Sequence, residues 1–353
     1  MLRTLLSDDI PKSRALSVLL VLILVGLAIA PFALTGARAL NTAATICVFI
    51  VLVASYDLLL GYTGIVSFAH TMFYGIGAYG VGLALAAMGP TWWAVFTGVA
   101  TALLVALLLA LAIGVVSLRV RALFFAMITL AVASAFSVLA SQLSDFTGGE
   151  DGRNFQVPEI LRPSFKLLDM EVFGRALDGR LLTYYLVLVS SIAIFLVLLR
   201  VVNSHFGRVL LAIRENDFRA EALGYRTVVY RTLANCIAAL AATLAGILMA
   251  LWLRYVGPKT VLSFELMTDI LLIVVIGGMG RMYGAVVGTV LFLVAQNYLQ
   301  PSMAGAAERL ADWPILARAL HPDRWMLWMG LLFIACVYYF PTGIVGRLRG
   351  REA

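Results

Sequence analysis

The sequence predicts an all-α, polytopic integral membrane protein of about ten transmembrane helices, with N- and C-termini cytoplasmic. Three observations carry that expectation. The chain is 62% hydrophobic and only 13% charged, and its mean hydropathy of +0.99 lies far outside the range of soluble domains. Apolar runs recur at the length of roughly 20 residues that a helix needs to cross a bilayer. Basic residues gather at alternate junctions between those runs, the pattern of cytoplasmic loops. The net charge of +7 would suggest nucleic acid in a soluble chain, but topology accounts for it here. The lipid bilayer is an expected partner and nucleic acid is not. Cys47, Cys236 and Cys336 fall inside apolar runs without CxxC spacing, so neither a disulfide framework nor a metal site is expected.

The spans follow from run length and flanking charge: 15–34, 39–60, 70–88, 92–117, 121–141, 182–202, 228–251, 264–280, 282–299 and 325–341. The first follows Arg3, Lys12 and Arg14 and precedes Ala37-Arg38-Ala39, which resembles a signal-peptidase site. A signal core is about 7–15 residues and this run is longer, so it is expected to stay as an uncleaved first span. A basic N-terminus inside then places Arg119/Arg121, segment 203–227, Arg281 and Arg347/Arg349/Arg351 inside as well. Segment 142–181 falls outside as a periplasmic loop with an acidic excess, and so does 300–324, where Trp313 and Trp325 suit the headgroup level.

Segment 203–227 is the charged interruption of this pattern. Phe206, Val209, Leu210 and Ile213 form one helical stripe, and a phase break then passes to Phe218, Ala222 and Leu223. Two short amphipathic helices joined near Glu215-Asn216-Asp217 are predicted. Acids interleave with arginines, which suits a protein-docking surface better than a helix lying on lipid.

Two glycine-rich stretches interrupt spans. The first runs from Gly61 to His70 and on to Gly75, Gly77 and Gly80; the second runs from Gly277 to Gly284. Non-helical backbone at membrane depth is tolerated where protein buries it or where it lines a watery cavity. Gly61, Thr63, Gly64, Ser67, His70, Gly75, Gly77, Gly277, Gly278, Gly280 and Gly284 are therefore candidates for the translocation path. Close helix packing is the competing expectation, preferred for the second stretch but not for the first, which adds polar side chains.

Ionisable groups inside the spans are few: Asp57, His70, Glu265 and Asp269. An ion-coupled carrier generally needs such groups, so their scarcity points to an external energy source. No Walker motif, HExxH or catalytic triad can be assembled around the three histidines. The chain is not expected to be an enzyme or to bind a cofactor or metal, and any ATPase would be a separate polypeptide docked at 203–227.

The motifs together resemble the permease subunits of branched-chain amino-acid ABC importers, of the LivM type. Gly61-Tyr62-Thr63-Gly64-Ile65-Val66-Ser67-Phe68-Ala69-His70 with Phe73 to Tyr79 is similar to the family's first glycine-rich signature. Phe206-Gly207-Arg208 through Arg214-Glu215-Asn216 to Arg219-Ala220-Glu221-Ala222-Leu223-Gly224-Tyr225 resembles its cytoplasmic coupling loop. Ser263-Phe264-Glu265, Val275 to Gly280 and Tyr283 to Gly288 resemble the late signature, and Phe340 to Gly346 the C-terminal close. Two departures stand out: Arg281 occupies a place expected to hold a small polar residue, and Glu221-Ala222-Leu223-Gly224 lacks the full EAA-x-x-x-G pattern.

The resemblance implies a bacterial inner-membrane subunit importing branched-chain or related amino acids. It would pair with a second, LivH-like permease, two LivG/LivF-like ATPase subunits holding ATP and Mg, and a periplasmic substrate-binding protein. Arg208, Arg214, Glu215, Asn216, Arg219, Ala220, Glu221, Leu223 and Gly224 would form the ATPase-coupling surface. The alternatives are the same type of permease for urea, short amides or another small polar solute and, in a different class, an ion-coupled carrier or channel.

Overall fold

A computed structural model describes residues 13–33, 36–117, 122–172, 175–309, 321–340 and 342–348. Ten helices among them are long and apolar enough to cross a membrane, which makes the chain an all-α, multi-pass membrane protein; in a bacterium that is the inner membrane. Lys12, the arginines at 3, 119, 121, 349 and 351, Trp313 and Pro341 lie outside the described residues. The helices are α1 (Arg14–Ala33), α2 (Ala37–Thr63), α3 (His70–Met88), α4 (Trp92–Ser117), α5 (Ala122–Gln142), α6 (Gly179–Val202), α7 (His205–Glu215), α8 (Asp217–Ala222), α9 (Thr227–Leu253), α10 (Phe264–Gly277), α11 (Met282–Arg309), α12 (Trp325–Tyr339) and α13 (Ile344–Leu348). Helices α7, α8 and α13 are too short to span; the turn Pro258–Val261 leads into α10 and completes its span.

Observed and predicted spans agree closely except at α11, which continues through Pro301 to Arg309 where the sequence predicted a loop from Gln300. Met303 is buried beyond the proline, and the alanines that follow are strong helix formers. Packing and propensity together carry the helix past the break.

Helices α2, α3 and α9 form the core. Of their most apolar stretches, 89%, 67% and 72% is buried, against 22% for α1 and 17% for α5, so the last two are left to lipid. The backbones of α3 and α9 touch. A Cβ at Gly77 would collide with the Thr243 carbonyl and one at Gly246 with the Tyr74 carbonyl, the small-residue contact typical of membrane helices. Thr243 Oγ1 donates to the Phe73 carbonyl at 3.2 Å, and Asn235 Nδ2 donates to the Ala110 carbonyl of α4 at 2.9 Å.

The outlying α1 is held by two phenols. Pro31 lies inside α1 and has no N–H for the Leu27 carbonyl one turn earlier. Tyr184 of α6 donates to that carbonyl at 2.6 Å, and Tyr185 donates to Ala28 O at 2.8 Å. The Leu27 acceptor that the proline would leave unsatisfied in hydrocarbon is thus paired from a neighbouring helix.

At one end of the bundle, the described residues between 142 and 178 lie over the helix ends. Strands β1 (Arg153–Asn154) and β4 (Tyr255–Val256) pair antiparallel, and β2 (Lys166–Val172) pairs with β3 (Arg175–Asp178) in a hairpin. Tyr255 Oη donates to the Asp151 carbonyl at 2.8 Å, and Thr183 Oγ1 donates to the Leu161 carbonyl at 3.2 Å. These two small ribbons are the only strands among the described residues. Segment 203–227 occupies the opposite end, where the ends of α2, α10 and α13 also meet.

Candidate functional site

Segment 203–227 consists of the two predicted helices, with Asn216 between them. The Asn216 side chain accepts from the Arg219 amide at 2.9 Å and so caps α8. On α7, Gly207, Leu210 and Ile213 are buried, and Gly207 has no room for a Cβ beside the Val202 carbonyl. Phe206 stacks on Tyr230 at 5.7 Å. Two polar contacts fix α8 to the start of α9: Arg231 Nη1 bridges to Asp217 Oδ2 at 2.8 Å, and Thr227 Oγ1 donates to Glu221 Oε1 at 2.7 Å. Gly224 closes the segment at φ +92°, a conformation that side chains other than glycine's resist.

The coupling candidates therefore divide by role. All of them except Ala220 are exposed, Glu215, Arg219 and Leu223 among them. Ala220 is buried, Asn216 is a cap, and Glu221 is held by Thr227. Arg208 lies against His205, 3.1 Å from its Nδ1. Arg214 is exposed along its length, but its Nη1 donates to the Gly61 carbonyl. The second apolar stripe faces away from the bundle, since Phe218 is 86% and Leu223 72% exposed, with Tyr225 at 40% beside them. The periodicity located this stripe but could not say which way it faced.

The first glycine-rich stretch ends α2 and begins α3. Gly64 is the left-handed C-cap of α2 at φ +73°. Thr63 Oγ1 returns its hydrogen bond to the Leu59 carbonyl at 2.6 Å. Ser67 is buried, as is His70, whose Nε2 lies 2.8 Å from Ser55 Oγ and 3.3 Å from the Leu52 carbonyl, beside the Tyr56 ring. Gly75 packs on Leu262, and Gly77 on Thr243. In the second stretch Gly277 and Gly284 pack backbone to backbone, while Gly278 lies against Thr342 and Gly280 against Gly61. All the path candidates are thus in close contact or capping positions within this chain. Among the described residues, a cavity of about 190 Å³ around Arg180 and Trp252 and an apolar one of about 380 Å³ between α1, α2, α6 and α11 are lined by none of the candidates.

The structure adds Asp57, which composition marked as an intramembrane acid without a partner. It is 2% exposed, and its Oδ1 accepts from the Gly280 amide at 2.8 Å. The unexpected Arg281 follows Gly280 in the same turn. Its guanidinium lies near the C-terminal turn, where a Cβ at Gly346 would be 3.3 Å from Nη1. A separation of 223 residues hides the Asp57–Gly280 contact from any local pattern.

Residues 38–337 match the family described as "Branched-chain amino acid transport system / permease component". Among curated relatives, the high-affinity branched-chain amino acid transport system permease protein LivM of Salmonella typhimurium is 26% identical over 269 residues, covering 72% of this chain and 61% of that protein. The protein of the same name from Escherichia coli gives the same figures. A probable branched-chain amino acid transport permease protein LivM of Methanocaldococcus jannaschii is 24% identical over 163 residues, or 46% of this chain and 45% of that one. The chain thus spans about three fifths of the length of the first two relatives. No solved structure matches it significantly. With most of its length matched and ten spans in place, the chain belongs to the family of branched-chain amino acid transport permease components.

Proposed function

We propose that the chain is the transmembrane permease subunit of an ATP-driven importer for branched-chain or related amino acids. It forms half of the translocation path, beside a second permease, and docks an ATPase subunit through residues 203–227. The observation that carries this reading, beyond family membership, is the exposed apolar surface of Phe218 and Leu223 on a segment anchored from beneath. Large apolar side chains exposed beside charged ones on a membrane protein's aqueous face suit a protein-docking surface. Arg219 and Glu215 supply that charged rim. Hydrolysis of ATP takes place on the partner, and a periplasmic binding protein selects the solute. Ligand-dependent closure of the ATPases then biases the permease pair between two packings.

Replacing both Phe218 and Leu223 by Glu tests the proposal. Co-purification of the ATPase subunit is expected to fall at least about tenfold, as truncation of an interface hot spot of 1.4 kcal/mol or more would give. Import should fall with it, while the amount of the chain in the membrane stays the same. Undiminished ATPase capture and uptake would rule out docking at this surface. A thermal-shift screen of the cognate binding protein with leucine, isoleucine, valine, urea and short amides assigns the solute class.

A further inference from the structure

Three segments far apart in sequence converge at the end of the bundle that carries residues 203–227: the C-terminus of α2, the turn between α10 and α11, and the C-terminus of α7. Gly61 is among the last residues of α2, so its carbonyl has no donor within the helix. Arg214 of α7 supplies that donor from 153 residues away. A cation at a helix C-terminus is also favoured by the helix dipole. The guanidinium stands beside Gly280 as well: a Cβ there would be 2.9 Å from Arg214 Nη1, and the stem lies 3.3 Å from the Cβ position of Gly64.

Beneath Arg214, Asp57 grips the turn through the amide of Gly280, the same residue that Arg214 Nη1 approaches. Its second oxygen, Oδ2, is buried without a hydrogen-bond partner. A Cβ at Gly61 would collide with both Asp57 Oδ1 and the Gly280 amide, so α2 and the turn meet with nothing between them. The buried Leu210 and Ile213 of α7 are apolar and tolerate sliding. The Arg214 contact is directional and does not. Drawing α7 away removes the donor from the Gly61 carbonyl and withdraws the cation packed over the Gly280 turn that Asp57 holds.

We propose that Arg214 and Asp57 are a positioning pair that transmits movement of the 203–227 segment to two membrane elements at once, α2 and the α10–α11 turn. The proposal rests on the permease reading above and adds the route by which docking reaches the spans. Neither residue touches solute; each acts through the backbone it holds.

The test measures solute imported per ATP hydrolysed in vesicles holding the assembled transporter, for wild type, Arg214→Gln, Asp57→Asn and the double variant. Each single change is expected to lower that ratio at least about fivefold, with the double variant no lower than the worse single one, as coupled residues behave. Arg214→Lys, which keeps the cation, should recover part of the loss. An unchanged ratio, or single effects that multiply in the double variant, overturns the proposal. Absence of ATP-dependent import in wild type would instead defeat the permease reading. The pair is then judged on the chain alone, by hydrogen–deuterium exchange in nanodiscs. Arg214→Gln should speed exchange both in residues 203–215 and at the Gly280 and Arg281 amides. Acceleration confined to 203–215 would mean that Arg214 only anchors the loop, and would overturn the relay.

Discussion

Glycine has two separable uses in this chain, and single substitutions tell them apart. Gly77 lies where the backbones of α3 and α9 touch, so a side chain there must push two buried helices apart. Gly77→Val is expected to cost about 3 kcal/mol or more of stability, the upper range for overpacking a dense core. Gly26, on the lipid side of α1, has nothing within 4 Å of a Cβ position. Gly26→Ala should be neutral or stabilise by up to about 1 kcal/mol, since alanine is the better helix former. Thermal unfolding of the detergent-purified variants checks both, and equal melting temperatures would contradict the contact. Sequence alone marked Gly75 and Gly77 as candidates for a watery path because glycine density is the same signal for packing and for irregular backbone. Only the position of Thr243, on a helix 166 residues later by number, distinguishes them in this chain, and no local periodicity carries that information.

Among the elements, α1 is the one most dependent on a borrowed hydrogen bond. Removing the Tyr184 hydroxyl leaves the Leu27 carbonyl, already deprived of a donor by Pro31, without a partner inside the membrane. Tyr184→Phe is expected to destabilise by about 1–3 kcal/mol, the cost of an unsatisfied buried acceptor. Adding Pro31→Ala, which restores a backbone N–H to the helix, should return most of it. The double-mutant cycle, read by thermal unfolding or by protease sensitivity of α1, checks the pairing; additive effects would contradict it. The existence and boundaries of α1 were legible from its apolar length and basic flank. Its attachment was not, because a tyrosine on a distant span advertises nothing about which carbonyl it meets. The same limit applied to 203–227: spacing gave two helices and their junction, while the outward face of Phe218 depends on how Asp217 and Glu221 are held by Arg231 and Thr227.

For the whole molecule, span count and the sorting of loops into two sets came directly from hydropathy and charge. The elements predicted to share a side do meet in space, with Gly61, Arg214 and Gly280 at one end and Asp151, Phe155 and Arg254 at the other. The β1–β4 ribbon over the far end was not legible, since strands of two residues carry no period. The sidedness itself is open to labelling. A cysteine replacing exposed Arg219 is expected to react with an impermeant maleimide only from the cytoplasmic side, and one replacing Glu150 only from the outside. Reaction of both from the same side would invert or break the topology.

The bare contact between α3 and α9 has a mechanical consequence. With the Gly77 and Gly246 positions each filled by a carbonyl from the opposite helix, sliding by a single residue would drive side-chain atoms into backbone oxygen. Shear along that seam is blocked, and the two helices move as one strut. Any rearrangement of the bundle must therefore carry the two helices together, hinging at their borders with α2, α4 and α6 rather than shearing between them.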